Sequence, residues 1–323
     1  DSPIVSSLPA VTLNWASPIT VDEDQNAQQR IWQEWTSAAT LETRIDNLRT
    51  GGGDYLEGIA LVAAGPGQTV SDDKSIDRIK AGISSATRIT VLSGAGISAA
   101  SGIPTFRGEQ DSLWNRYRPE ELATPEAFRE NPARVWQWYE ERRRTVRAAE
   151  PHAGHHALVQ IAKWLGTLHV VTQNVDGLHQ FAGSSGVIEL HGNIMRSKCS
   201  VTHRPISREW LVDQEGSPPP SPYVRHGLAR PDVVWFGEML PQEAIDRATA
   251  IAHRSDFCFS IGTTSLVHPA AGLPVIAQRN GAQLVEINPT GTPLSAQADQ
   301  CLRSTATAAL TAIRDQLRAA LAG

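Results

Sequence analysis

Three short stretches carry side chains whose types and spacing suit chemistry. SGAGIS, residues 93–98, sets Gly94, Ala95 and Gly96 directly after a β-branched run. Glycines at such a turn let backbone N–H groups approach a pyrophosphate, and a helix start behind them adds a favourable dipole. TQNVDGLH, residues 172–179, follows a second β-branched run and offers the amides of Gln173 and Asn174 and the carboxylate of Asp176. Those groups suit ribose hydroxyls and a carboxamide; equally, Asp176-Gly177 is a turn dipeptide. ELHGN, residues 189–193, puts His191 at a strand end before a glycine, where an imidazole can serve as general base near neutral pH. The glycine spacing departs from the dehydrogenase fingerprint. After Gly94 and Gly96 the third glycine is Gly102, and no acidic residue closes a second strand about twenty residues on, so hydride transfer loses support.

These stretches need a frame to hold them. Short apolar runs at Arg88–Ser93, His169–Thr172, Val187–Leu190, Asp256–Ile261 and Gln283–Ile287 read as strands. Helical patterns lie between most of them, at Pro125–Ala149, His152–Leu165, Pro241–Arg254, Ala270–Asn280 and Thr305–Ala322. The alternation predicts an α/β fold: a doubly wound, Rossmann-like parallel sheet with helices on both faces. It breaks at 193–235, where SPPPSP (217–222) marks a small inserted lobe. The N-terminal part differs again. Asp22–Arg49 carries Ile31, Trp35, Leu41, Ile45 and Leu48 at helical spacings and ends at Gly51-Gly52-Gly53, which predicts a partly helical extension over 1–75. The expected organisation is that extension, a nucleotide-binding domain built from 76–192 and 230–323, and a small lobe over 193–229.

Composition narrows the class. The 323 residues hold 29 Lys+Arg against 34 Asp+Glu, and a net charge of −5 disfavours nucleic acid as the main partner. No run approaches a membrane span, so membrane insertion is not expected. Three cysteines, Cys199, Cys258 and Cys301, make no disulfide framework and suit a reducing compartment, with a cytoplasmic location expected. The chain begins at Asp1, so a removed organellar leader stays open, as does the oligomeric state.

Together with GIPTFRG (102–108), RPDVVWFGE (230–238), GTTSLVHPAA (262–271) and VEINP (285–289), the three stretches form an ordered set. That set resembles the motifs of the sirtuins, NAD-dependent protein-lysine deacylases, over roughly residues 75–318. The resemblance implies that Gly94, Ala95 and Gly96 hold the pyrophosphate of NAD, and that Thr105, Phe106 and Arg107 close over the nicotinamide pocket. It places Gln173, Asn174 and Asp176 against nicotinamide and its ribose. Gly262, Thr263, Thr264, Ser265, Ile287 and Asn288 line the adenosine side, Thr264 standing where the family has Ser. In the family the acyl-lysine oxygen attacks C1′ as nicotinamide leaves, and O-acyl-ADP-ribose forms. His191, Asn174 and Asp176 would be the catalytic residues, with His191 as base toward the ribose. Val234, Trp235, Phe236 and Gly237 would pair with the backbone of an acyl-lysine protein substrate as an added strand. Alternatives on the same site are mono-ADP-ribosyl transfer or NAD hydrolysis. A nucleotide-binding module without turnover is disfavoured because every catalytic-type residue is present.

Two departures refine the expectation. Tyr139 and Arg142 are three apart, so both emerge on one helical face, and a phenol beside a guanidinium is a receptor for a carboxylate. The pair resembles the signature of class III sirtuins, which prefer succinyl, malonyl or glutaryl lysine over acetyl, and the small Ala123 resembles that class too. The alternative is a solvated basic face in which Glu140 and Glu141 pair with Arg142–Arg144. The second departure is the zinc ribbon that most sirtuins carry. Cys199 stands at the first ligand position and Thr202 at the second, and the last, near Arg225, has no cysteine nearby. His203 and His226 complete no recognisable spacing, so no metal is expected.

Overall fold

A computed structural model describes residues 73–105 and 118–321 of the chain; the helix expected over Asp22–Arg49 lies outside them. The strands are β1 Ile89–Ser93, β2 Leu168–Thr172, β3 Ile188–Glu189, β4 Gly192–Cys199, β5 Pro205–Ile206, β6 Ala229–Val233, β7 Phe257–Ile261, β8 Gln283–Ile287 and β9 Gln300–Leu302. The helices are α1 Asp73–Gly82, α2 Pro119–Leu122, α3 Pro125–Glu130, α4 Pro132–Ala148, α5 Ala153–Leu165, α6 Leu178–Phe181, α7 Arg208–Val212, α8 Gln242–Ala252, α9 Leu273–Arg279 and α10 Ala306–Leu321.

Six strands form one parallel sheet in the order β3-β2-β1-β7-β8-β9. Its central members are β-branched or aromatic and buried on both faces, as parallel strands under two helix layers must be. Alternation sorts their side chains. Ile89, Val91, Phe257, Phe259, Ile261, Val285 and Ile287 point toward α1, α5 and α10. Leu92, Cys258 and Leu284 point the other way, toward α8 and α9. The chain leaves the middle of the sheet in opposite directions from β1 and β7. Doubly wound sheets open a ligand crevice at such a switch point, outside the carboxyl ends of the strands.

The helical pattern over Pro125–Ala149 is two helices rather than one. Pro132 has no N–H to donate and biases Asn131 away from helical angles. The Asn131 side chain instead accepts from Arg134 N–H at 3.0 Å and starts α4, while Thr124 caps α3 in the same way.

A second, antiparallel sheet of order β5-β4-β6 spans residues 192–233. Helices α2–α4 pack on it through Leu122, Phe128, Val135, Tyr139, Ile194 and Trp235. Arg143 fastens the two together. Its buried guanidinium donates to the carbonyls of Ile194 (2.6 Å) and Arg196 (2.8 Å) and to Ser197 Oγ (2.9 Å), and pairs with Glu140. The solvated basic face considered from sequence is therefore built inward at this position. The lobe draws on two chain segments, the β1–β2 crossover and the insertion after β3.

Candidate active site

The loops after β1 and β7 interlock at the switch point. Gly94 N–H donates to Ile261 O (2.9 Å) and Gly96 N–H to Gly262 O (2.8 Å). A Cβ on Gly96 would lie 2.7 Å from Gly262 Cα, and one on Gly262 would lie 2.5 Å from Ile97 N. The glycines thus serve first to let two loops touch, and their N–H groups are spent doing so. Among the described residues, the amide N–H groups left without a protein partner at this junction are those of Ala95, Thr263 and Thr264, a cradle suited to an anion. Ser265, with φ of 56°, holds a buried Oγ that has no partner. Thr263 gathers the surrounding elements: its Oγ1 accepts from Gln173 Nε2 (3.0 Å) and its carbonyl from Asn288 Nδ2 (2.9 Å). Thr105 is half-buried at the edge of the described residues, and Phe106 and Arg107 lie outside them.

After β2 the polar side chains turn inward. Asn174 and Asp176 are both 5% exposed, which excludes a solvent-facing polar turn. Ser98, a residue the sequence reading passed over, joins them. Its hydroxyl donates to Asp176 Oδ2 (2.7 Å) and accepts from Asn174 Nδ2 (3.1 Å), while Asp176 Oδ1 takes Leu178 N–H (2.9 Å). Burial raises the Asp176 carboxyl, and the donations from Leu178 and Ser98 and the Arg142 charge oppose it. Ser98→Ala removes the bridge and leaves one Asp176 oxygen undersatisfied, at a cost of about 1–2 kcal/mol. We expect unfolding midpoints to fall by that amount and kcat/KM by at least ~10-fold; unchanged turnover would argue that the bridge does not position Asn174.

His191 sits where the chain passes from β3 into β4. Its Nδ1 lies 2.9 Å from Gln173 O, and a carbonyl only accepts, so Nδ1 carries the proton and Nε2 the lone pair. Burial lowers the ring below the ordinary histidine value, leaving it a neutral base at pH 7. Gly192 follows with φ of 79°, and a Cβ there would stand 2.1 Å from Asp232 O. Gly192→Ala is accordingly expected to destabilise the chain by about 3 kcal/mol or more, seen as a lowered urea midpoint; a shift within error would rule out the close approach.

The RPDVVWFGE stretch folds back on itself. The Arg230 guanidinium pairs with Glu238 (2.6 and 2.9 Å), donates to Val233 O (3.0 Å) and stacks 3.4 Å over the Trp235 ring. Trp235 is 2% exposed and its Nε1–H donates to Tyr139 OH (3.0 Å), so its side chain walls the lobe core. The N–H groups of Val234, Trp235 and Phe236 are taken by His191 O, Glu238 and Ala123 O. The carbonyl of Val234, which accepts no backbone hydrogen bond among the described residues, and the N–H of Gly237, which likewise has no backbone partner among them, are left for an incoming strand. Gly237 itself is exposed.

Tyr139 and Arg142 share one side of α4, as their spacing predicts. Burial pushes the Tyr139 phenol up to about 12. Arg142, its guanidinium 4.8 Å over the Trp138 ring, is brought down to about 10 by burial and supported by Tyr139 and Asp176, so it remains a cation at neutral pH.

Beneath this floor lies a row of three histidines absent from the sequence reading. His152 Nε2–H donates to Ile97 O; the His155 ring packs 4.3 Å from His152 and 5.1 Å from His179. His179 Nε2 bonds Ser93 Oγ (2.8 Å), Ser93 donates to Thr172 Oγ1 (2.8 Å), and Thr172 holds Asn174 N–H (3.0 Å). Neither His155 nitrogen has a protein partner. Burial pushes His155 down to about 2 and His179 to about 4. Below pH ~6.5 the unfolded chain therefore takes up protons that the folded chain refuses, and stability falls by about 1 kcal/mol per ring per pH unit. Urea unfolding at pH 7.5 and 5.0 is expected to show that slope, reduced in His155→Leu; an equal slope in both would place the acid sensitivity elsewhere.

Comparison with known proteins agrees with this arrangement. The sequence profile of the Sir2 family matches residues 94–269. An NAD-dependent protein deacylase of Aquifex aeolicus is 46% identical over 230 residues, covering 71% of this chain and 95% of that protein. A Sir2 homologue carrying an alanine substitution, solved with ADP-ribose, superposes with a TM-score of 0.71 at 42% identity, covering 76% of this chain and 98% of its own. A Sir2 homologue in complex with NAD gives a TM-score of 0.68 at 42% identity, covering 78% and 96%.

Proposed function

Because this chain belongs to the Sir2 family, we propose that it is an NAD-dependent protein-lysine deacylase whose pocket favours acyl groups ending in a carboxylate. The observation that carries the acyl preference is Arg142. A charged guanidinium held in a buried setting, next to the Tyr139 phenol and within electrostatic reach of Asp176, would serve as an anion receptor for the acyl terminus. Ala123 supports it: its carbonyl bonds Phe236 N–H (2.9 Å), so a small side chain borders the stretch proposed to seat the substrate.

The free amides of Ala95, Thr263 and Thr264 and the orphaned Ser265 hydroxyl fit a dinucleotide, with Gln173 and Asn288 flanking Thr263. When bound, NAD supplies an anomeric carbon that exchanges nicotinamide for the acyl oxygen of the lysine. The chain's own part is positioning and proton transfer. Asn174 and Asp176, clamped by Ser98, present an amide and a carboxylate in fixed orientation. His191 Nε2 takes a proton from a ribose hydroxyl while Nδ1–H stays on Gln173 O, which fixes the ring's tautomer and direction. The Val234 carbonyl accepts an N–H from the substrate backbone, a contact that tolerates many side-chain sequences.

Incubating NAD with a succinyl-lysine peptide, an acetyl-lysine peptide or no peptide, and following free nicotinamide, tests the reading. Release that depends on peptide and is faster with the succinyl form supports it. Release without peptide would indicate NAD hydrolysis, and faster turnover of the acetyl form would remove the acidic-acyl assignment.

A further inference from the structure

The lobe keeps the shape of a metal site without its ligands. Two tight turns face each other. In the first, Cys199 N–H donates to Arg204 O (2.9 Å) and Cys199 O accepts from His203 N–H (3.0 Å). In the second, Ser221 N–H donates to Gly227 O (2.8 Å) and Gly227 N–H to Val224 O (3.1 Å). Gly227 marks where they meet: a Cβ there would stand 2.6 Å from Val224 Cγ2, 3.0 Å from Ser221 Cβ and 3.1 Å from Cys199 Sγ. Thr202 closes the remaining corner, its N–H 3.4 Å from that sulfur, as is the N–H of Val201. Residues 199, 202, 221 and 224 are thus two pairs with x-x spacing on opposed turns, the layout of a tetrahedral zinc site. The second pair is Ser221 and Val224, which corrects the placement near Arg225.

The side chains at those corners do not fit zinc. One thiol, two hydroxyls that stay protonated at neutral pH and an isopropyl group give a single competent donor. His203 and His226 are exposed, and among the described residues no group of three His, Cys, Asp or Glu gathers. What Cys199, Thr202 and Ser221 do instead is bond one another, with Val224 packed beside them. Burial pushes the Cys199 thiol up, but donations from Ser221, Thr202 and the two amides outweigh it and bring it to about 7. Trp136, Ile206 and Ala229 pack around the sulfur, which is fully buried.

We propose that Cys199, Thr202, Ser221 and Val224 form a metal clasp converted to a hydrogen-bonded one, so that the lobe folds without metal yet regains a zinc site when Thr202, Ser221 and Val224 become cysteine. The full chain as purified is expected to hold well under 0.1 zinc per chain by elemental analysis and to melt at the same temperature with and without a chelator. The triple variant T202C/S221C/V224C is expected to bind about one zinc per chain and to lose melting temperature when chelated. Should it not fold, the double variant T202C/S221C, loaded with cobalt, is expected to give a tetrahedral thiolate spectrum. Stoichiometric zinc in the unmodified chain would overturn the proposal, as would a folded triple variant that takes up none, or a folded double variant without the cobalt spectrum.

Discussion

Arg142→Met should cut kcat/KM for succinyl-lysine peptides by ~100-fold or more while acetyl-lysine turnover changes less than about threefold. A carboxylate paired to guanidinium in a buried setting gains a charge-assisted, bidentate bond, and removing the cation leaves that carboxylate desolvated without a partner, about 3 kcal/mol in all. Methionine keeps most of the stem that packs near Trp138, and the Tyr139–Trp235 hydrogen bond is not touched, so the fold should survive. An acetyl group ends in a methyl and has nothing to lose. Steady-state kinetics on both peptides checks this, and equal loss of the two activities would mean that Arg142 supports the site generally and does not read the acyl terminus.

The second large effect is expected at His191. Replacement by alanine removes the Nε2 lone pair proposed to accept the ribose proton, and general-base losses run about 10²–10⁴-fold in kcat. Stability should change little, because the ring makes one hydrogen bond, to Gln173 O, while the residue's carbonyl still holds Val234 N–H. The pH dependence has a definite sign. Burial lowers the ring's pKa, so the active neutral form persists to lower pH than free imidazole, and the rate should fall only below pH ~6.5. A kcat/KM profile with its acid limb at or above 6.5, or an alanine variant with near-normal kcat, would remove His191 from the base role.

The core strands were legible because each is a short β-branched or aromatic run ending in glycine or a polar turn, and β1, β2, β7 and β8 stand within a residue of the expected bounds. The lobe was not. β4 reads GNIMRSKC, without alternation, and its partners are a two-residue strand and a strand containing Pro231. Only tertiary pairing makes them strands. The site divides along the same line. His191, Asn174 and Asp176 announce themselves by type and by position after strands, whereas Ser98 gains its role only because folding brings it against residues 76 and 78 positions away. Trp235 shows the converse: alternation along the stretch sends its indole into the lobe, a direction its residue type alone does not announce. The clasp corners carry almost no signal, since threonine, serine and valine at such spacing occur everywhere.

The bond from Val234 N–H to the carbonyl of His191 has a mechanical consequence. The imidazole, held on Gln173 O at the end of β2, and the segment proposed to seat the peptide are also fastened to each other, with Gly192 supplying the bend beside them. A rotation of the lobe about that joint would widen the crevice for entry or exit while the peptide-seating segment pivots at the base. Registration between them would then be a property of one rigid corner, indifferent to how far the cleft stands open.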